Sequence, residues 1–153
     1  MREYTAPELA SIIKLHAPEI YFKDGIIEAI TPTLRGNARK AAMMARDIKT
    51  YLSALHSSTF DSRDWSKLCH QLDILPLGVS RMELQVLNVL RRFTDCSLTR
   101  LAASLKMTPI SVQKDLELFL QAQGLMEVSK LGRNITPQGR QYLQNLETGL
   151  TVK

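Results

Sequence analysis

Five residues, Arg35-Gly36-Asn37-Ala38-Arg39, form the arrangement in this sequence best suited to holding an anion. They precede a long amphipathic stretch. A Gly-x-x-Arg at a helix start sets a guanidinium beside backbone N–H groups that have no intrahelical acceptor, a favourable environment for phosphate. A solvated arginine at a helix start has the same appearance, so the motif takes its meaning from its surroundings.

A second arrangement runs from Leu98 to Thr136. Leu98, Leu101, Ala102 and Leu105 follow i, i+3, i+4, i+7 spacing and predict a short helix. Thr108-Pro109 supplies an N-cap and a first-turn proline for a second helix through Val112, Leu116, Phe119 and Leu120, which Gly124 stops. Leu125 to Lys130 and Arg133 to Thr136 then read as two short strands around a Leu131-Gly132 tip. This is a helix-turn-helix followed by a basic wing, a unit that sets one helix in a DNA groove. Arg133, Lys130 and Lys114 are its candidate phosphate contacts. Winged helices also dock proteins, and that reading stays open.

Other chemistry finds little support. The sequence holds no GxxxxGK[ST] phosphate loop, HExxH, GxSxG or CxxC. Its three histidines lie far in sequence from any candidate nucleophile. Cys69 and Cys96 make neither a disulfide framework nor a metal-ligand pattern, which fits reduced thiols in a cytoplasmic protein with no metal. No apolar run approaches the roughly 20 residues of a membrane span, and MREYTAPELAS lacks a signal-peptide core. The chain alone is therefore not expected to be an enzyme.

The charge is uneven. Residues 1–75 hold ten Lys/Arg against nine Asp/Glu, and residues 76–153 hold ten against six. The basic excess lies in the half with the helix-turn-helix pattern, as a polyanionic partner requires.

These segments need a scaffold, and the periodicity supplies a mainly α one in two parts. Residues 1–75 predict a helix after Thr5, with Glu8 closing a capping box. Further helices are expected near Asp24–Ile30, Asn37–His56 and Ser62–Leu72. The long helix carries a stripe of Ala38, Ala41, Ala45, Ile48, Leu52 and Leu55. Ile74 to Ser80 reads as a linker. Residues 76–153 add a helix from Ser80 to about Phe93, the wing unit, and a last helix from Thr136-Pro137. The wing supplies the only strands, save a minor one near Ser97.

In this context the Gly-x-x-Arg helix resembles the lid of an AAA+ ATPase. The order lid, linker, winged helix is similar to the C-terminal two-thirds of the RuvB family, the motor subunits of the Holliday-junction branch-migration helicase. Tyr4-Thr5-Ala6-Pro7-Glu8-Leu9 resembles the family's Tyr-x-x-Pro-[Asp/Glu]-Leu entry to the lid. Arg35-Gly36-Asn37-Ala38-Arg39 resembles its Arg-Gly-Thr-Pro-Arg, and Gly132-Arg133 with Thr136 resembles its wing. The sequence departs from the family at Pro109 and Val128, where arginines are usual, and at Lys130-Leu131, where the family has Pro-Arg.

The resemblance implies that Tyr4 lies against an adenine, that Arg39 is the sensor-2 arginine touching the terminal phosphate of ATP, and that Arg133 meets DNA. It implies a fragment of an ATP-dependent DNA helicase of recombination and repair, whose missing AAA+ core holds ATP and assembles a homo-oligomeric ring. Two other readings remain: a free-standing winged-helix transcription regulator, and a docking module of another AAA+ protein, since clamp loaders and replication initiators have similar lids.

Overall fold

The computed structural model describes residues 3–149 and divides at Val79/Ser80 into two compact units. The expected linker does not hang free of the first. Pro76–Gly78 is a single 3₁₀ turn whose Gly78 backbone packs on Thr33, and the Gly78 carbonyl accepts from Arg35 Nη1 at 3.5 Å. The first unit thus extends four residues beyond the boundary expected at residue 75.

The first unit is built on α1 (Ala6–His16), α2 (Ile26–Ile30), α3 (Ala38–Ala54) and α4 (Ser62–Leu72). Thr5 and Glu8 cap α1 reciprocally, as their spacing predicts, and Asp61 with Asp64 does the same for α4. The core joins Leu9 and Ile13 of α1, Ile26, Ile27 and Ile30 of α2, and Ala41, Met44, Ala45, Ile48 and Leu52 of α3. Two members expected on the α3 stripe lie elsewhere: Ala38, the first residue of the helix, is half-buried, and Leu55, its C-cap, is exposed.

The wing is not the sole strand pair. β1 (Tyr21–Phe22) and β2 (Thr59–Phe60) run parallel, with Tyr21 opposite Thr59 and Phe22 opposite Phe60. Phe60 is fully buried and meets Phe22 and Tyr51 edge to face, at centroid distances of 6.1 and 6.2 Å. Two residues per strand are too few for alternation to register in sequence.

The second unit packs α5 (Arg81–Arg92), α6 (Leu98–Leu105), a recognition helix over residues 109–122 and a last helix (Pro137–Glu147) around Val86, Leu90, Leu101, Val112, Leu120 and Tyr142. Thr108 caps the recognition helix with Pro109 in its first turn, and Gly124 ends it at φ +73°. Its middle, Val112–Glu117, is wound as a π-helix, which the α-helical periodicity did not foretell. The hairpin β3 (Met126–Ser129) and β4 (Gly132–Ile135) is the wing, with Lys130-Leu131 as its loop. The minor strand expected near Ser97 is one bridge, Cys96 to Arg133.

Candidate functional site

In the first unit, α3 begins at the Arg-Gly-Asn-Ala-Arg segment. Asn37 is its N-cap: Oδ1 accepts from the backbone N–H of Arg39 at 2.9 Å and of Lys40 at 3.1 Å. Two of the N–H groups expected to be open to an anion are therefore already satisfied by a side chain. The Arg39 side chain is exposed and forms no ion pair among the described residues.

Gly36 connects this helix start to the chain entry. Its φ of +71° is open to glycine and strained for other residues. Its carbonyl accepts from Tyr4 N–H at 2.9 Å. The Glu3 side chain lies over it, so that a Cβ on Gly36 would come within 3.0 Å of Glu3 Cβ. Tyr4, half-buried against the first core, and the Arg39 helix start are thus held together by one backbone hydrogen bond. The first core and the Gly36 carbonyl together anchor Tyr4.

In the second unit Lys114 and Lys130 are exposed, on the recognition helix and at the wing tip. Arg133 is placed differently from the expectation. Its Nε donates to Glu117 Oε2 at 2.8 Å and its Nη2 to Glu117 Oε1 at 3.4 Å. The Arg133 and Glu117 side chains are 14% and 3% exposed. The guanidinium is turned from the wing surface onto the recognition helix, and a carboxylate already takes two of its donors.

Sequence reasoning missed Glu117. The available signal was an acid one position after Leu116, on the buried side of a helix, where a charge needs a partner. The second unit also exposes three large apolar side chains: Ile110, Leu118 and Leu131 are 68%, 66% and 75% exposed.

Cys69 is half-buried and Cys96 buried, and both are free thiols. Burial pushes the Cys69 thiol up to about 11. Burial also raises that of Cys96, partly offset by the charges of Arg100 and Arg133. Among the described residues no group of three or more metal-ligating side chains converges, and no helix is long and apolar enough to cross a membrane.

Residues 76–144 match the family model of the RuvB C-terminal winged helix domain. The chain is 28% identical over 146 residues to the Holliday junction branch migration complex subunit RuvB of Tropheryma whipplei strain TW08/27, covering 92% of this chain and 42% of that protein. It is 26% identical over 148 residues to RuvB of Helicobacter acinonychis, covering 94% and 44%. The chain therefore spans less than half the length of these relatives. The structure of the Thermotoga maritima RuvB Holliday junction branch migration motor superposes with a TM-score of 0.78 at 23% identity, over 100% of this chain and 51% of that one, a likeness of fold. Residues 76–144 are thus similar to the RuvB C-terminal winged helix domain, and the chain as a whole is RuvB-like in sequence and fold.

Proposed function

We propose that this chain supplies the nucleotide-sensing lid and DNA-contacting winged helix of a RuvB-like motor acting on Holliday junctions in the cytoplasm. The first unit works with an AAA+ core that binds ATP within a homo-oligomeric ring. Arg39 acts as the sensor-2 charge, reaching the terminal phosphate through its side chain because Asn37 occupies the nearest amides. Tyr4 lines the adenine side. A lid gives the transition state one charge but neither phosphate cradle nor metal, so turnover requires the core.

The Tyr4–Gly36 hydrogen bond carries this reading, since it couples the chain entry to the helix start bearing Arg39. In the second unit Lys114 and Lys130 contact phosphates, while Arg133 holds the wing to the recognition helix.

The test is a titration of duplex and four-way-junction DNA against this chain at several salt concentrations. Binding should be nearly sequence-independent and fall steeply with salt. Lys114→Gln and Lys130→Gln should each lower the log–log slope by about one unit. Affinity indifferent to salt and to both lysines overturns the DNA assignment.

A second reading draws on the exposed Ile110, Leu118 and Leu131, which suit a protein partner better than a phosphate backbone. It requires salt-insensitive binding and loss of partner affinity in Leu118→Ser.

A further inference from the structure

Phe93 follows α5 and is half-buried. The Arg100 guanidinium lies 3.9 Å from its ring centroid, and that of Arg92 lies 5.7 Å away. Both arginines are exposed, and neither forms an ion pair among the described residues. The acid adjacent in sequence, Asp95, is engaged elsewhere: its Oδ1 accepts from Asn134 Nδ2 at 2.8 Å. Arg91, the neighbouring cation, is paired with Glu147 at 2.7 Å. Two cations are thus held in place without a counter-charge.

The position of Arg100 sharpens the point. It sits in the first turn of α6, three residues after the N-cap Ser97, whose Oγ accepts from Arg100 N–H at 3.1 Å. A helix N-terminus favours anions and disfavours a fixed cation. Arg100 is held there by the Phe93 ring, not by a carboxylate. A cation kept at a helix start with a ring and no carboxylate as its partner is free to take an external anion. An anion at this place would satisfy the guanidinium and lie in the favourable field of the helix start, whose Arg100 N–H is already taken by Ser97.

The chemistry narrows the ligand. Arg100 covers one face of the half-buried Phe93 ring, which therefore is a poor platform for a base. The guanidinium edges remain, and these suit phosphate oxygens. The cluster lies at the root of the wing: Asp95 and Cys96 abut β4, where Cys96 and Arg133 exchange backbone hydrogen bonds of 2.8 and 3.0 Å.

We propose that Arg92 and Arg100, organised by Phe93, anchor phosphodiester oxygens of the nucleic-acid strand that the winged helix engages. This rests on the DNA-binding reading and adds a contact point separate from Lys114 and Lys130. Contact is to the backbone, so it is independent of base sequence and available to single strands and duplexes alike.

The experiment measures binding of the full chain to a labelled random-sequence duplex and to one of its separated strands across a salt series. Arg92→Gln, Arg100→Gln, Arg100→Lys and Phe93→Leu are compared with Lys114→Gln and Lys130→Gln, with thermal melts confirming that each variant is folded. Each arginine-to-glutamine change should lower the log–log salt slope by about one unit on both probes. Arg100→Lys should keep most of the slope yet bind more weakly, since it retains the charge and loses the planar stack. Phe93→Leu should weaken binding with both arginines still present.

Unchanged affinity and slope in both glutamine variants, with the lysine variants impaired, overturns the inference and leaves the DNA-binding reading standing. Absence of salt-dependent DNA binding by the unaltered chain overturns both. Inorganic phosphate serves as the last probe: if Arg92→Gln and Arg100→Gln abolish its binding while DNA affinity is unaltered, the cluster is a free-anion site and the nucleic-acid assignment is overturned.

Discussion

Glu117 on the recognition helix grips Arg133 on the second wing strand through both carboxylate oxygens, at 2.8 and 3.4 Å, with the acid almost wholly enclosed. The pair ties helix and wing together from inside. Removing one partner strands the other charge in a poorly solvated place, at a cost of about 3–5 kcal/mol. Arg133→Ala and Glu117→Ala should each lower the melting temperature strongly, while Arg133→Met combined with Glu117→Leu should recover much of the loss. Additive losses in the double variant would show that the two side chains do not act as a unit. At temperatures where Arg133→Ala stays folded, its DNA salt slope should match the parent's.

Gly132 makes that grip possible. Its φ is +139°, and a Cβ there would come within 2.6 Å of the Asp95 carbonyl carbon and 2.7 Å of its oxygen. No side chain fits between the wing and the segment leading into α6. Gly132→Ala should lose on the order of 1–3 kcal/mol to backbone conformation alone, with more from the collision. Amide exchange should show early loss of protection at Cys96 and Arg133, whose N–H groups bond each other's carbonyls. A melt indistinguishable from the parent would contradict the close approach.

Much of this architecture was legible in the residues. Thr5 with Glu8, Thr108 with Pro109, and Gly124 mark helix ends through local chemistry, and each boundary lies where that chemistry sets it. The Leu125–Thr136 hairpin follows from strand residues around a short turn, displaced by one residue at each strand end. The remainder depends on partners distant in sequence. The Phe22–Phe60 pairing joins residues 38 apart in numbering, so nothing local to either reveals the other. Arg133 and Arg39 look alike in sequence, and only the location of Glu117 decides that one guanidinium faces inward while the other is exposed. The Asn37 cap is likewise a local feature with a non-obvious result, since the side chain that starts the helix also occupies the amides an anion would use.

Cys69 gives the first unit a pH-dependent signature. Burial raises its thiol to about 11, against about 8.5 for an unfolded cysteine. The folded state therefore holds the proton more tightly. This contribution to stability is fully present below the unfolded value and is lost as pH rises from about 8.5 through about 11. Cys69→Ser should flatten that alkaline decline in a series of urea denaturations. Alkylation of Cys69 by iodoacetamide should stay slow at pH 8 and accelerate only toward the folded value. Rapid modification at pH 8 in the native protein would show the thiol to be solvated.

Arg39 separates a nucleotide-sensing role from a structural one. Its side chain is exposed and joins no ion pair among the described residues, while its backbone N–H is already bonded to Asn37. Arg39→Ala should therefore shift the stability of this chain by no more than about 0.5 kcal/mol, as surface substitutions away from special contacts do. Fused behind an AAA+ ATPase core, the same substitution should reduce the turnover number strongly. A guanidinium that meets the transferred phosphoryl group stabilises charge that develops in the transition state. Arg39→Lys should restore part of the rate, because a point charge replaces the planar group at the same place. Asn37→Ala serves as the control. It removes the cap and destabilises the helix by about 1 kcal/mol, but it leaves the guanidinium and should change turnover far less than Arg39→Ala. Equal turnover in the parent fusion and Arg39→Ala would refute the sensor-2 assignment, whatever the melts show.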